Sequence, residues 1–231
     1  MPADISAFIQ TVAIIAIPII IAITFHEAAH GFVAWRLGDD TAHRLGRVTF
    51  NPLKHIDPIG TIILPAVLYL STGFMFGYAK PVPVNYRRLR RPRRDMVLVA
   101  AAGPGINFLL AIASAILLHF VPVEGSVLVQ TIGHILVVSV AVNVLLAVFN
   151  MLPLPPLDGG RVAVGLLPYP LSLYLARTER YGMMILILAL IILPWIGSQL
   201  GMDLGIVGWI IGPIADHIQS FIYWITGNGP V

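Results

Sequence analysis

The chain has 231 residues, 58% of them hydrophobic and only 11% charged, with a formal net charge of +3 and a mean hydropathy of +0.88. Soluble domains are about 45–50% apolar and about 25% charged, so this composition excludes an ordinary water-soluble domain and makes lipid the expected solvent. Cysteine is absent, which excludes a disulfide framework and a thiolate metal site and leaves His, Asp and Glu as candidate metal ligands.

The first apolar stretch covers residues 5–37. It opens without a basic region, carrying only Asp4, and shows no small-residue cleavage site, so a removed signal peptide is not expected. A helix of that length is roughly 50 Å long, more than the roughly 30 Å hydrocarbon core requires. Pro18 is expected to kink it. Arg36 at its far end predicts that this end is cytosolic and the N-terminus outside.

Residues 41–94 are irregular. Residues 47–50 and 80–84 read as short strands, with Pro81 and Pro83 suited to a sheet edge. Between them, residues 59–70 are apolar but short, interrupted by Pro65 and flanked by basic residues. A re-entrant hairpin is expected there rather than a full span, lining a cavity or covered by protein. Arg87, Arg88, Arg90, Arg91, Arg93 and Arg94 crowd one loop. In an apolar chain, a cytosolic loop at anionic headgroups accounts for this cluster better than a nucleic-acid partner.

Core spans are predicted at residues 95–120 and 127–151. A proline-rich break at 152–157 follows. Asp158-Gly159-Gly160 then opens a further helical piece, with Asp158 in an N-cap position, in a segment reaching residue 177. The last spans are predicted at 181–196 and 204–226. No repeat or linker divides the chain. Residues 1–231 therefore read as one domain, an all-α polytopic membrane protein of five or six transmembrane helices with a small membrane-associated re-entrant β element.

His26-Glu27-Ala28-Ala29-His30 fits H-E-x-x-H. On a helix, positions i and i+4 share a face, about 5–6 Å apart at Cβ, so two imidazoles can bind one Zn²⁺ at about 2.0–2.1 Å. Glu27, beside the first histidine, can reach a water at the metal without ligating it, as a general base requires. Residues 8–25 before the motif are almost all apolar, which puts an acid and two imidazoles near the cytosolic end of a spanning helix. A carboxylate costs roughly 2.5–3.5 kcal/mol at mid-membrane, and a divalent ion offsets that cost. The competing reading is a set of helix-end polar groups snorkelling to the interface. A catalytic zinc needs a third protein ligand and an open position. Asp158 is a candidate because it follows a long apolar helix and a proline break. On its residues alone it reads equally as a plain helix N-cap. Asp39, Asp40, Asp57 and Asp95 lie in hydrophilic loops and need no special role.

The H-E-x-x-H motif in an apolar helix, Gly103-Pro104-Gly105-Ile106-Asn107 in the next core span, and residues 150–159, Asn-Met-Leu-Pro-Leu-Pro-Pro-Leu-Asp-Gly, together resemble the site-2 protease family of intramembrane metalloproteases. The resemblance covers about residues 5–165 and keeps the family's motif order. It implies that His26, His30 and Asp158 ligate one catalytic Zn²⁺, that Glu27 is the base, and that a re-entrant β element follows the first helix. It also places Asn150 near the active site, where its amide polarises or binds the substrate carbonyl. The alternative for Asn150 is a helix C-cap. Asn107 is expected to bond across helices. The chain resembles a minimal member, without a PDZ or CBS domain.

The expected activity is zinc-dependent hydrolysis of peptide bonds in transmembrane protein substrates. Metal-activated water attacks the carbonyl, and Glu27 takes a proton and passes it to the leaving amine. Edge strands near Val48 or residues 82–84 would hold the substrate extended. The alternative is a non-proteolytic metal transporter or metal-stabilised scaffold, since intramembrane His and acidic groups also mark ion pathways. A bacterial or archaeal cell membrane is expected, with the active site toward the cytosol. Gly208, Gly212, Asp216, Gln219 and Tyr223 recur at helical spacing as a polar stripe, expected to face the bundle interior or a water-filled gap and to help shape a substrate gate. Asp216 and His217 are the stripe's alternative metal or proton site. His43, His55, His119 and His134 are isolated and carry no assigned role.

Overall fold

A computed structural model describes residues 2–63, 77, 79–122 and 124–229. Its elements are helical: α1 (Pro2–Arg36), the short α2 (Thr41–Arg44), α3 (Pro92–Leu118), α4 (Val127–Asn150), α5 (Asp158–Leu166), α6 (Leu171–Arg177), α7 (Glu179–Leu200) and α8 (Ile206–Thr226). α1 is helical throughout, Pro18 included. Gly201 and Gly227 end α7 and α8 in the left-handed conformation that suits glycine.

Among the described residues, four helical stretches are long and apolar enough to cross a membrane: Ala7–Arg36, α3, α4 and α7. Only 11–33% of each apolar window is buried, so much of the hydrophobic surface points outward, as a lipid solvent requires. α8 covers the expected last span, but Asp216, His217 and Gln219 dilute its apolar surface.

Two ridges of small residues explain how α1 and α3 pack. Pro18, Ala22, His26, His30 and Ala34 recur every four residues on α1, and all are buried. Asp95, Val99, Gly103, Asn107, Ala111 and Ala115 do the same on α3. Rows at i±4 pack ridge against groove, and small side chains let the two backbones approach. The candidate histidines and their α3 partners lie on these facing rows. The main apolar core joins α3, α4 and α8 through Ala111, Ala115, Val140, Val144, Ile211 and Tyr223. A polar contact crosses the same packing, with Ser114 Oγ 2.8 Å from Ser139 Oγ.

The strands predicted at residues 47–50 and 80–84 do not form. Pro81 and Pro83 have no N–H to give a ladder. The Arg47 side chain takes the place of a partner strand, its Nη2 donating to the carbonyls of Lys80 (2.8 Å) and Pro81 (3.4 Å). Residues 79–85 take no regular secondary structure and form a strap instead, extended at Asn85. The hairpin predicted over residues 59–70 lies outside the described residues beyond Ile63, and Pro58–Ile63 forms a single π-helical turn. In the basic loop, Tyr86–Arg88 make a 3-10 turn whose cap, Asn85, accepts from Arg87 N at 3.2 Å. Arg88 pairs with Asp40 at 2.8 Å.

Candidate metal centre

His26 and His30 sit one turn apart on the buried row of α1. Their Nε2 atoms are 3.0 Å apart. α5 brings Asp158 against them, its Oδ2 at 3.2 Å from His26 Nε2 and 3.3 Å from His30 Nε2. Asp158 is not the N-cap its position in sequence suggests. Leu157 holds that place, and the Asp158 carboxylate, one residue inside the helix, turns to the imidazoles instead of the helix's own amides.

The far nitrogen of each ring fixes its tautomer. His26 Nδ1 lies 2.6 Å from Asn107 Oδ1, and His30 Nδ1 lies 2.7 Å from the Val99 carbonyl. The Asn107 orientation follows from its own bonds: Nδ2 donates to the Ala22 carbonyl at 3.2 Å and to Asn143 Oδ1 at 2.8 Å, which leaves Oδ1 for His26. Both Nδ1 atoms therefore carry the proton, and both Nε2 lone pairs face Asp158. Three acceptors converge with no donor between them, and Asp158 Oδ2 is buried without a hydrogen bond among the described residues. Such a cluster repels itself unless a cation sits within it. Four ligands about 2.0–2.1 Å from a tetrahedral zinc are about 3.3 Å apart, which the three separations match. The donor set fits one divalent ion.

Glycines make room for this approach. A Cβ at Gly103 would stand 2.6 Å from His26 Nε2 and would collide with His30 Nε2. At Gly159 and Gly160 it would strike the main chain of residues 151–155, so α5 can begin where it does only without side chains there.

A cavity of about 550 Å³ opens beside the three ligand candidates. Glu27, Asn150 and Arg161 line it, with apolar walls that include Val82, Phe149 and Leu186. Glu27 Oε2 accepts a hydrogen bond from Val82 N at 2.7 Å. Asn150 does not cap its helix; Met151 holds that place, and the Asn150 amide donates to the Leu146 carbonyl at 2.9 Å. Arg161, one turn after Asp158, donates to Tyr86 Oη and lies 3.3 Å from Glu179 Oε1. Burial pushes the Tyr86 hydroxyl above its ordinary range, with Arg161 pulling the other way.

His26, His30 and Asp158 are the only such group of three potential ligands among the described residues. Asp216 and His217 are exposed on α8 rather than turned to the bundle interior, because α8 packs through Ile211, Ala215, Ile222 and Tyr223. His43 stacks on Trp35 with ring centroids 4.2 Å apart, and His55 Nε2 lies 3.0 Å from the Thr49 carbonyl.

Comparisons with known proteins show the family of the chain. Residues 120–193 match the sequence family described as Peptidase family M50. The chain is also 39% identical over 184 residues to "Putative zinc metalloprotease YwhC" of Bacillus subtilis, covering 78% of this chain and 80% of that protein. The chain belongs to peptidase family M50, the site-2 protease family. Two further relatives are named "Putative zinc metalloprotease Rip2". The one from Mycolicibacterium smegmatis is 29% identical over 74% of this chain and 64% of its own length. The one from Mycobacterium tuberculosis strain H37Rv is 28% identical over 83% of this chain and 70% of its own length. No solved structure matches the chain. This M50 member is thus a membrane metalloprotease by family and by its apolar helices.

Two features of the M50 site escape the motifs. Asn143, which holds Asn107, lies mid-span in α4 with no motif around it. The Tyr86–Arg161–Glu179 chain joins residues far apart in sequence. The visible signal for the first is a lone amide in an apolar span, which calls for a partner.

Proposed function

We propose that this M50 protein is an intramembrane zinc endopeptidase that cleaves peptide bonds of transmembrane protein substrates. The observation that carries the reading is the convergence of His26 Nε2, His30 Nε2 and the undonated Asp158 Oδ2 beside Glu27 in one cavity. His26, His30 and Asp158 are the residues that would hold the ion. When bound, zinc lowers the pKa of a water toward about 7 and polarises a carbonyl.

The chain's own groups do the rest. Glu27 accepts the proton released by the attacking water and delivers it to the amine that leaves. Asn107 and the Val99 carbonyl keep both imidazoles in the ligating tautomer. Asn150, at the cavity wall, offers its amide to the substrate backbone. The apolar lining admits a hydrophobic segment. That segment must unwind locally, because a helical peptide bond is shielded by its own hydrogen bonds. Val82 and Val84 of the strap line the cavity, and the unwound segment would lie along them. The centre belongs toward the cytosolic end of α1, the end marked by Arg36, with the basic loop of residues 87–94 at anionic headgroups.

The test is cleavage of a transmembrane substrate co-reconstituted with the full chain in liposomes. Glu27→Gln is expected to abolish cleavage while zinc stays bound. Cleavage that persists in that variant overturns the mechanism. Zinc flux without hydrolysis would favour a transporter instead.

A further inference from the structure

Arg47 is a buried cation without a carboxylate partner among the described residues. It is 8% exposed, and its Nε has no hydrogen bond among the described residues. Burying a guanidinium is costly, so what it does hold is informative. It holds the main chain of the strap, through the carbonyls of Lys80 and Pro81. Two further bonds pin the same strap: Lys80 N to the His55 carbonyl at 2.9 Å, and Asn85 N to the Asp39 carboxylate at 2.6 Å.

Between those anchors the strap reads Pro81-Val82-Pro83-Val84. Neither proline has an N–H, so Val82 is the one main-chain donor flanked by prolines on both sides. That donor points at Glu27, 2.7 Å from Oε2. Val82 itself is buried and packs against α1, where a Cβ at Gly31 would stand 3.1 Å from its Cγ1. One carboxylate oxygen is thus held by a rigid donor, and Oε1 has no protein hydrogen bond among the described residues.

We propose that the Val82 amide, held in place by Arg47, positions Glu27 for proton transfer. The proposal rests on the reading of Glu27 as general base. A carboxylate that must take a proton from water and return it to an amine needs a fixed orientation toward both. A free glutamate on the face of α1 rotates about three bonds. Fixing Oε2 from the strap leaves Oε1 as the oxygen that works. Val82 and Arg47 act through Glu27 and touch no reacting atom.

Two measurements test this on the full chain in liposomes. The first is amide hydrogen exchange. In a peptide spanning residues 80–83, Val82 carries the reporting amide. It is expected to exchange slowly in the wild type and faster in Glu27→Ala and Arg47→Gln. Equal exchange in wild type and Glu27→Ala overturns the contact itself.

The second is steady-state cleavage. Val82→Ala keeps the N–H and trims only the side chain, so it is the reference against which Val82→Pro is read. Val82→Pro removes the N–H at a position flanked by prolines on both sides. It is expected to lower kcat on the order of ten-fold or more, with KM and zinc content close to wild type. An unchanged kcat overturns the proposal, and a raised kcat shows a blocking contact instead. Should Val82→Pro fail to accumulate, Arg47→Gln decides: kcat falls in that variant, whose amide is too short to reach the strap, and recovers in Arg47→Lys, whose longer side chain keeps a charged donor within reach. Full kcat in Arg47→Gln overturns the proposal. Cleavage by the wild type that does not depend on Glu27 sinks the reading of the base. Glu27-dependent cleavage that ignores Val82→Pro sinks only this positioning role.

Discussion

Asn107 Oδ1 and His26 Nδ1 are 2.6 Å apart, and that contact decides which imidazole nitrogen faces Asp158. The amide is itself held by Ala22 and Asn143, so three helices combine to set one tautomer. Partners of this kind typically control metal affinity by 10–100-fold, roughly as much as a weak ligand would.

Asn107→Ala is therefore expected to weaken zinc binding about 10–100-fold while the protein still inserts and folds. Competition of the purified wild type and variant with a chromogenic chelator measures the difference. Equal affinity in wild type and Asn107→Ala would show that the contact orients nothing.

Gly103→Ala tests the approach of α3 to the two histidines. The new methyl would lie within 2.6 Å of His26 Nε2, a distance no Cβ tolerates. Either the rings turn away from Asp158 or α3 backs off. Both outcomes predict loss of stoichiometric zinc, read by metal analysis of the purified protein. Gly105→Ala is the control, since a Cβ there meets nothing within 4 Å.

Removal of the ion leaves three acceptors facing one another. Chelation is expected to stop cleavage and to lower thermal stability, because an ion that binds only the folded state stabilises it. Re-addition of zinc should restore both. Asp158→Ala is expected to reduce bound zinc well below about one ion per chain, the stoichiometry of a single catalytic site.

α7 closes one wall of the cavity with Met183 and Leu186, and it does so through Gly182. A Cβ there would overlap the Pro155 carbonyl and stand 2.6 Å from Pro156 Cδ. Gly182→Ala is expected to cost about 1–3 kcal/mol, the usual range for overpacking. A lower thermal midpoint in detergent, with activity falling alongside it, would report the displaced wall.

The centre is only partly legible in the residue order. His26, Glu27 and His30 are fixed by local geometry, since a helix places i and i+4 on one face whatever surrounds it. The long apolar helices follow from lipid as solvent. Asp158 could be read two ways, because an aspartate before two glycines suits a helix cap as well as a metal. The strand readings at residues 47–50 and 80–84 went astray for a related reason. Proline placement suits an extended chain, and an extended chain becomes a strand only if a partner backbone arrives. Here the partner that arrived was the side chain of Arg47.

From residue order alone came the membrane solvent, the histidine pair with its adjacent acid, and the absence of any thiolate ligand. These depend on composition and on contacts a turn or less apart. Tertiary structure decided that Asp158 turns to the imidazoles, that Asn107 sets a tautomer and that Val82 meets Glu27. Those contacts join residues from 55 to 132 positions apart. Which row of one helix faces which row of another is settled only when the whole bundle packs, because many rows are small or apolar enough to do so.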